Sequence, residues 1–277
     1  ITGGSGYKGS ILIPELLKNN HTIYNVDTNW FGNYLPKHKK LFNIKEDIRF
    51  FKFDIKKKID AIIHLASIAN DPCGDLNPQL TWEVSALATM QLADRAKRLG
   101  IKRFIYASSG SVYGVKEEEN VTEDLELDPI SEYNKTKMVA ERVLLSYQGD
   151  MIVQIIRPAT VCGFSKSQRL DVIVNILTNL AYHNREITVF GGDQLRPNIH
   201  IKDMLRAYLL LLETGSSKVN GEIFNAGSNN PIDMKSLLTI IYNQIGNKNI
   251  SNLSVLDILF NEGPNSLDFI RSSFKII

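Results

Sequence analysis

The sequence predicts an α/β fold: a doubly wound parallel sheet, with a smaller mixed α/β substrate domain at its C-terminal edge. Three observations carry this reading. Short β-branched runs alternate with amphipathic stretches through the first 158 residues. The strand-like runs are near-continuously apolar, as expected when helices cover both faces of a parallel sheet. A glycine-spaced turn, "TGGSGYKG", opens the first amphipathic stretch.

Residues 22–27, 48–54, 61–66, 102–108 and 152–158 read as strands, and 7–20, 78–100 and 131–147 as helices. Gly100 stands where a helix C-cap glycine belongs. Pro14 removes one backbone bond from the first helix and predicts a kink there. Beyond "RPATVCG" the alternation loosens: 169–183 reads as a helix, 187–190 as a short strand, 202–213 as a helix and 222–227 as one more sheet strand. Residues 1–158, rejoined by 197–226, are expected to form the sheet domain, and 159–196 with 227–277 the smaller one. Such folds bind ligands at the C-terminal edge of the sheet. Ile1 reads as the end of a central strand whose earlier residues lie outside this sequence, and "FKII" as stopping before a final helix. The chain is therefore expected to be part of a slightly longer enzyme.

Of the 277 residues, 43% are hydrophobic and 22% charged, an ordinary globular composition. The net charge of +2 balances 32 basic against 30 acidic residues, so no global field points to nucleic acid. The clusters at 37–40 and 56–58 read as solvated loops. Cys73 and Cys162 have neither a pairing pattern nor metal-ligand spacing, which predicts a reducing, cytoplasmic setting and no metal. No apolar run reaches the roughly 18 residues that span a bilayer, so no membrane partner is expected.

Gly3, Gly6 and Gly9 recur every third residue. In a dinucleotide cradle one glycine permits the tight turn, one lets backbone approach a pyrophosphate, and one lets helix pack on strand. Asp27 ends the next strand, 24 residues after Gly3. A carboxylate there can accept both ribose hydroxyls and repels a 2′-phosphate, which favours NAD over NADP. Asp54, at the end of the next predicted strand, suits an adenine-edge contact or a turn. Tyr133 and Lys137 lie four residues apart, on one helix face. An ammonium one turn from a phenol stabilises its phenolate and brings a weak base into range. Ser109, directly after a strand, can hydrogen-bond the substrate hydroxyl that Tyr133 deprotonates.

These motifs, together with "HLA" at 64–66 and "SSGSVYG" at 108–114, occur in an order and spacing that resemble the extended short-chain dehydrogenase/reductases. Within these the chain looks most like the NAD-dependent nucleotide-sugar epimerase/dehydratase group, over nearly its whole length. The resemblance implies a Rossmann domain holding NAD. It implies that Gly3, Gly6 and Gly9 hold the pyrophosphate, Asp27 the adenosine ribose, and Asp54 with Ile55 the adenine. Leu65, Ala66 and Ser67 would line the nicotinamide side, with Tyr7, Ser108 and Pro158 as further cofactor contacts. Ser109, Tyr133 and Lys137 would be the catalytic trio, Lys137 also holding the nicotinamide ribose. Asn175 and a buried Arg196 would meet the sugar-nucleotide diphosphate, with Ser111 also on the substrate side.

Dehydratases of the group carry an Asp-Glu pair after the serine, and here Gly110 and Ser111 stand there. A cysteine two residues beyond the serine serves 3,5-epimerisation, and Ser111 occupies that position too. A 4-epimerase-like reaction is therefore favoured. A net dehydrogenase, a keto-sugar reductase or a dehydratase stays open, and a non-catalytic dinucleotide-binding protein is disfavoured by the intact trio. Tyr113 is expected to pack or to shape the sugar site, and Trp82, His64 and His200 to lie in the core. Ser85 replaces a frequent asparagine, Cys162 a usual tyrosine, and Asn265 falls near a second diphosphate arginine of relatives. The resemblance also implies a homodimer joined through helices 78–100 and 131–147.

Overall fold

The computed structural model describes residues 1–118, 120–184, 187, 192–228 and 231–246. Near its start, Thr2 makes parallel bridges to Val26 on one side and His64 on the other, which places it mid-sheet. The chain then turns through its glycines into helix α1 (Gly9–Lys18), which runs on through Pro14. Strand β1 (Ile23–Asp27) follows, then β2 (Leu41–Lys45), paired parallel with Asp27 opposite Lys45. After β3 (Ala61–His64) come the short helix α2 (Asp71–Leu76) and a longer helical run. That run is α3 (Pro78–Trp82), a π-helical turn at Glu83–Leu87, and α4 (Ala88–Arg98). Then follow β4 (Arg103–Ala107), α5 (Glu132–Leu145), β5 (Ile152–Pro158) and β6 (Thr160–Cys162). The last part holds α6 (Ile173–Asn184), β7 (Leu195–Arg196), β8 (Asn198–His200) and α7 (Ile201–Glu213). It closes with β9 (Glu222–Ala226), β10 (Ile232–Asp233) and α8 (Met234–Gly246).

Strands β3, β4, β5 and β9 lie side by side, all parallel. Their sequences are apolar throughout because both faces are covered. Phe104 and Tyr106 join a core with Leu92, Ala93 and Ala96 of α4 and Ala140 and Leu144 of α5. Their neighbours Ile105 and Ala107 join the opposite core, with Leu12, Ile13 and Leu16 of α1 and Met204 and Tyr208 of α7. The two-residue period of a strand thus divides one apolar run between two helical layers. Each fully buried side chain of this size contributes about 1.5–3 kcal/mol. A third core gathers Cys162, Val174, Leu177 and Ala181 with Met234, Leu237, Ile240 and Ile241, joining α6 to α8.

The ends of α5 and α3 follow ordinary capping chemistry. Ser131 accepts a bond from the Asn134 amide, and Asn77 accepts one from Leu80 with Pro78 next to it. Gly100 takes a φ of +68° behind α4, as expected of a C-cap glycine.

Three expectations are corrected. The strand expected over 48–54 does not form, and residues 41–45 make that strand instead. The cause is local: Asp47 Oδ1 accepts from the Arg49 amide, and the Phe50 and Phe51 amides bond the Asp47 carbonyl. An Asp that bonds the backbone two residues on forms a turn and ends extended structure. Asp54 consequently does not end a strand. Trp82 is not core: it is partly exposed, with its indole N–H donating to Glu132 at 2.7 Å. The helix read over 78–100 is not uniformly α, because the π turn interrupts it. Of the strand expected at 187–190 only Ile187 is described, outside any element, and the position of Asn265 lies outside the described residues with the rest of 247–277.

Candidate active site

The site assembles at the C-terminal ends of the central strands. The glycine loop lies against the turn after β3. A Cβ on Gly3, whose φ is +70°, would stand 2.5 Å from the Ala66 nitrogen, and one on Gly9 would stand 2.4 Å from the Gly4 Cα. Only glycine fits at those two points, whereas the Cβ direction of Gly6 meets nothing nearer than the Gly3 carbonyl at 3.4 Å. Backbone amides are thus left uncovered at the start of a helix, a natural seat for an anion. Asp27 sits beside this loop: its carboxylate accepts from the Ser5 amide at 2.9 Å and the Asn29 amide at 2.8 Å. Each oxygen retains a lone pair for a ribose hydroxyl.

Two of the expected adenine residues are not brought here. Asp54 is exposed, and Ile55 packs on the core that includes Phe51. Ile55 lies with Ile59 and Ala61 at the end of the sheet where β3 begins. Asp47, just past β2, lies next to the Asp27 end of the sheet. Its carboxylate binds Arg49, which also reaches Glu83 at 2.7 Å.

Leu65, Ala66 and Ser67 line the turn after β3, with the Leu65 amide bonded to the Thr2 carbonyl at 3.0 Å. Ser67 is fixed from the helical layer, since Ser85 in the π turn bonds its hydroxyl at 3.1 Å and accepts from the Ile68 amide. π-helical turns are frequent at functional sites. A buried polar chain runs on from there: the Ser85 carbonyl accepts from Thr89, Thr89 meets His64 at 2.8 Å, and His64 meets Thr2 at 2.5 Å. Burial, followed by the Lys137 charge, lowers the His64 pKa to about 3. His64 and His200 are both buried as expected.

The trio comes together. The Ser109 hydroxyl lies 2.7 Å from the Ser111 hydroxyl, which donates to Asn134, and Ser109 favours the phenolate form of Tyr133. Lys137 Nζ donates to the Ala107 carbonyl at 2.8 Å and lies 5.7 Å from the Tyr133 ring centroid. Burial raises the Tyr133 pKa, and Arg169 and Ser109 oppose that rise. Burial lowers Lys137 to about 7, helped by Lys8, with Glu141 opposing. Lys8 is itself lowered to about 8 by burial and by Arg169. Three cations therefore converge beside the glycine loop, which suits a bound diphosphate.

Several expected contacts are occupied by the protein itself. The Ser108 hydroxyl turns inward to Glu141, and Pro158 is buried at the end of β5. Tyr7 donates to the Gly163 carbonyl at 2.7 Å and accepts from Asn175. The Asn175 amide also bonds the Gly163 nitrogen and the Arg169 carbonyl, so it stitches loops together. Arg196 is exposed on β7, paired with Ile232, rather than buried as expected. Among the described residues, the β7–β10 ribbon leaves both β7 side chains exposed.

Lys8, Asp71 and Arg169 were not singled out by sequence reasoning. They come from three loops distant along the chain, and the only local signal was the Arg-Leu-Asp spacing at 169–171. Tyr113 packs as expected, its hydroxyl donating to Asn225 and accepting from Arg157. Cys162 is buried with its thiol raised to about 12, and Cys73 is exposed. Among the described residues no cluster could hold a metal ion, and no helix is long and apolar enough to cross a membrane.

A parallel sheet covered on both faces, a glycine cradle with a strand-ending carboxylate, and a Ser-Tyr-Lys trio define a Rossmann-fold nucleotide-dependent enzyme. The NAD dependent epimerase/dehydratase family matches residues 1–227, and the chain belongs to that family. It is similar to UDP-glucose 4-epimerase of Mycolicibacterium smegmatis, at 26% identity over 89% of this chain and 82% of that one. Among solved structures it is similar to UDP-glucuronic acid 4-epimerase from Bacillus cereus in complex with UDP-glucuronic acid and NAD. Identity there is 28%, TM-score 0.78, with 89% of this chain and 82% of that chain covered. MoeE5 in complex with UDP-glucose and NAD is likewise 28% identical, with TM-score 0.78, over 88% and 81%. The protein is thus an NAD-dependent enzyme of the nucleotide-sugar epimerase/dehydratase type. The glycine cradle, Asp27 and the three cations fit that cofactor.

Proposed function

We propose that the protein is a nucleotide-sugar 4-epimerase, with Tyr133 as its base. The observation that carries this is Lys137 Nζ lying 5.7 Å from the Tyr133 ring centroid on one helix face, with Ser109 favouring the Tyr133 phenolate and no carboxylate at positions 110 and 111. Bound NAD would supply the hydride acceptor for oxidation of the sugar carbon and the hydride donor for its re-reduction from the opposite face. Tyr133 takes the proton of the 4-hydroxyl and later restores it. Ser109 orients that hydroxyl, and Lys137 holds the ribose beside the phenol. Gly3, Gly6 and Gly9 receive the pyrophosphate, Asp27 the ribose and Asp47 the adenine side. Ser111, through Asn134, keeps Ser109 in place. The absence of an acid pair disfavours loss of water, because a serine hydroxyl cannot protonate a leaving hydroxyl at useful pKa.

Residues 159–196 and those from 227 onward would cover the sugar, built on the third core, with 197–226 belonging to the sheet. A homodimer would form through the helical face where exposed Trp82, Leu87 and Met90 flank Val139 in a groove. The exposed thiol of Cys73 suits the cytoplasm. A panel of UDP-, GDP-, CDP- and dTDP-sugars incubated with the NAD-loaded enzyme tests the reading by NMR. Inversion at C4 without accumulation of NADH supports it. Net NADH formation selects an oxidoreductase, and loss of water a dehydratase.

A further inference from the structure

Asp71 is the first residue of α2, and neither the trio nor the glycine cradle accounts for it. Asn70 caps that helix by accepting from the Asp71 amide. It holds a φ of +86°, a strained conformation that persists only where the surroundings impose it. Helix α2 lies close on the start of α5, since a Cβ on Gly74 would stand 3.1 Å from the Tyr133 Cβ. That approach brings the Asp71 carboxylate onto the first turn of α5. Its Oδ1 accepts from the Ser131 hydroxyl and, at 3.0 Å, from Asn134 Nδ2. From Asn134 the contacts run on without a gap to the serine of the trio. Asn134 Oδ1 accepts from the Ser111 hydroxyl, and Ser111 Oγ lies 2.7 Å from Ser109 Oγ.

We propose that Asp71 is a positioning residue for Ser109, acting through Asn134 and Ser111. It rests on the reading of Ser109 and Tyr133 as catalytic residues and adds what holds the serine still.

The direction of each link follows from the acid end of the chain. A carboxylate only accepts, so the amide nitrogen of Asn134 must face Asp71 and its carbonyl must face Ser111. Without the carboxylate that amide is free to turn over, and Ser111 would then meet an NH2 group. Ser111 has one proton and commits it to the Asn134 carbonyl, so it meets Ser109 with a lone pair. The Ser111 amide donates to Ser109 Oγ at 3.2 Å. Two contacts from residue 111 thus hold the Ser109 hydroxyl in one rotamer, where the neighbouring Gly110 has no side chain to do so. Asn134 is buried, which keeps water from replacing the link. The same polarity suits a hydroxyl at position 111, because an ionised carboxylate there would meet the Asn134 carbonyl, acceptor against acceptor.

The test pairs crystal structures with steady-state kinetics of the NAD-loaded enzyme, on the sugar nucleotide of the panel that it converts. In Asp71→Ala kcat should fall about 10- to 100-fold, as misplacing a reacting group does. KM and NAD affinity should stay within about twofold, and Ser109 should occupy more than one rotamer. In a Ser111→Ala background the same change should add less than about twofold, because the chain is already cut. A merely structural Asp71 would add its full effect there. Asn134→Asp sets two carboxylates together and should lose as much as Asp71→Ala. The exchange Asp71→Asn/Asn134→Asp again faces one amide with one carboxylate, whose other oxygen takes the Ser111 proton, and should recover most of that loss. Should Asp71→Ala not fold, Asn134→Ala cuts the chain one link on and should give the same fall. An unchanged kcat or an undisturbed Ser109 in a folded Asp71→Ala or Asn134→Ala enzyme overturns the inference, as does an exchange variant no better than Asn134→Asp. Failure of the underlying reading looks different: Tyr133→Phe would keep its turnover, and the crystal structures would still report on Ser109.

Discussion

Arg157 and Glu141 form an ion pair with both side chains 2% exposed, Nη2 to Oε2 at 2.7 Å, beneath the helix that carries Tyr133 and Lys137. Glu141 also takes the Ser108 hydroxyl, and Arg157 stacks on Tyr113 at 4.8 Å. The pair thus ties β4, α5 and β5 together under the serine loop. Removing one partner strands the other charge in the interior, which costs about 3–5 kcal/mol. Glu141→Gln and Arg157→Met should each lower unfolding stability by that order in urea titrations. The double variant Arg157→Met/Glu141→Leu should recover much of the loss. Equal losses in the single and double variants would show that the pair is not what holds this corner.

Tyr133→Phe keeps the aromatic ring and removes the proton-accepting oxygen. Turnover should fall by about two to four orders of magnitude, with melting temperature and NAD affinity nearly unchanged. Stopped assays and calorimetry on the same preparation check both halves of that expectation.

Gly9 opens α1, where replacing glycine by alanine ordinarily favours a helix by about 0.5–1 kcal/mol. Here the sign reverses, because the added methyl would stand 2.4 Å from the Gly4 Cα and neither backbone can swing aside. Gly9→Ala should destabilise the protein by about 1–3 kcal/mol, as overpacking does. It should also weaken NAD binding by calorimetry, since the cradle must widen. A Gly9→Ala protein that binds NAD normally would contradict the close approach.

His64 is buried with its pKa lowered to about 3, against an ordinary value of 6.5. Between those values the unfolded chain binds the proton and the folded chain does not, so acid favours unfolding. Stability should be intact above pH 6.5 and fall as pH drops toward 3, at on the order of 1 kcal/mol per pH unit. His64→Gln, which keeps a polar side chain between Thr2 and Thr89, should flatten that slope in denaturation measured at stepped pH.

Much of this architecture was legible because its signals are local. Tyr133 and Lys137 declare a shared helix face by spacing alone, and Asp27 declares a strand end by the apolar run before it. The contrast between Asp54 and Asp47 as strand-end residues shows where such signals fail. Both follow apolar runs, and the choice was made by pairing with β1 and by the turn that Asp47 builds from its own side chain. Arg196 has the right chemistry for a phosphate, but burial depends on a neighbouring layer that no window of sequence reveals. Asp71 reaches Ser131 and Asn134, on either side of Tyr133 in sequence, only through tertiary structure, so no periodicity could have found it.

The hydroxyl of Tyr7, in the glycine loop, donates to Gly163, and Ser10 of α1 bonds Ser165 at 2.5 Å. The loop that seats the cofactor is therefore fastened to the one that carries Arg169. Two ligands that each order one side of such a joint share a single coupling free energy. By whatever factor NAD tightens the grip on the sugar nucleotide, the sugar nucleotide must tighten the grip on NAD.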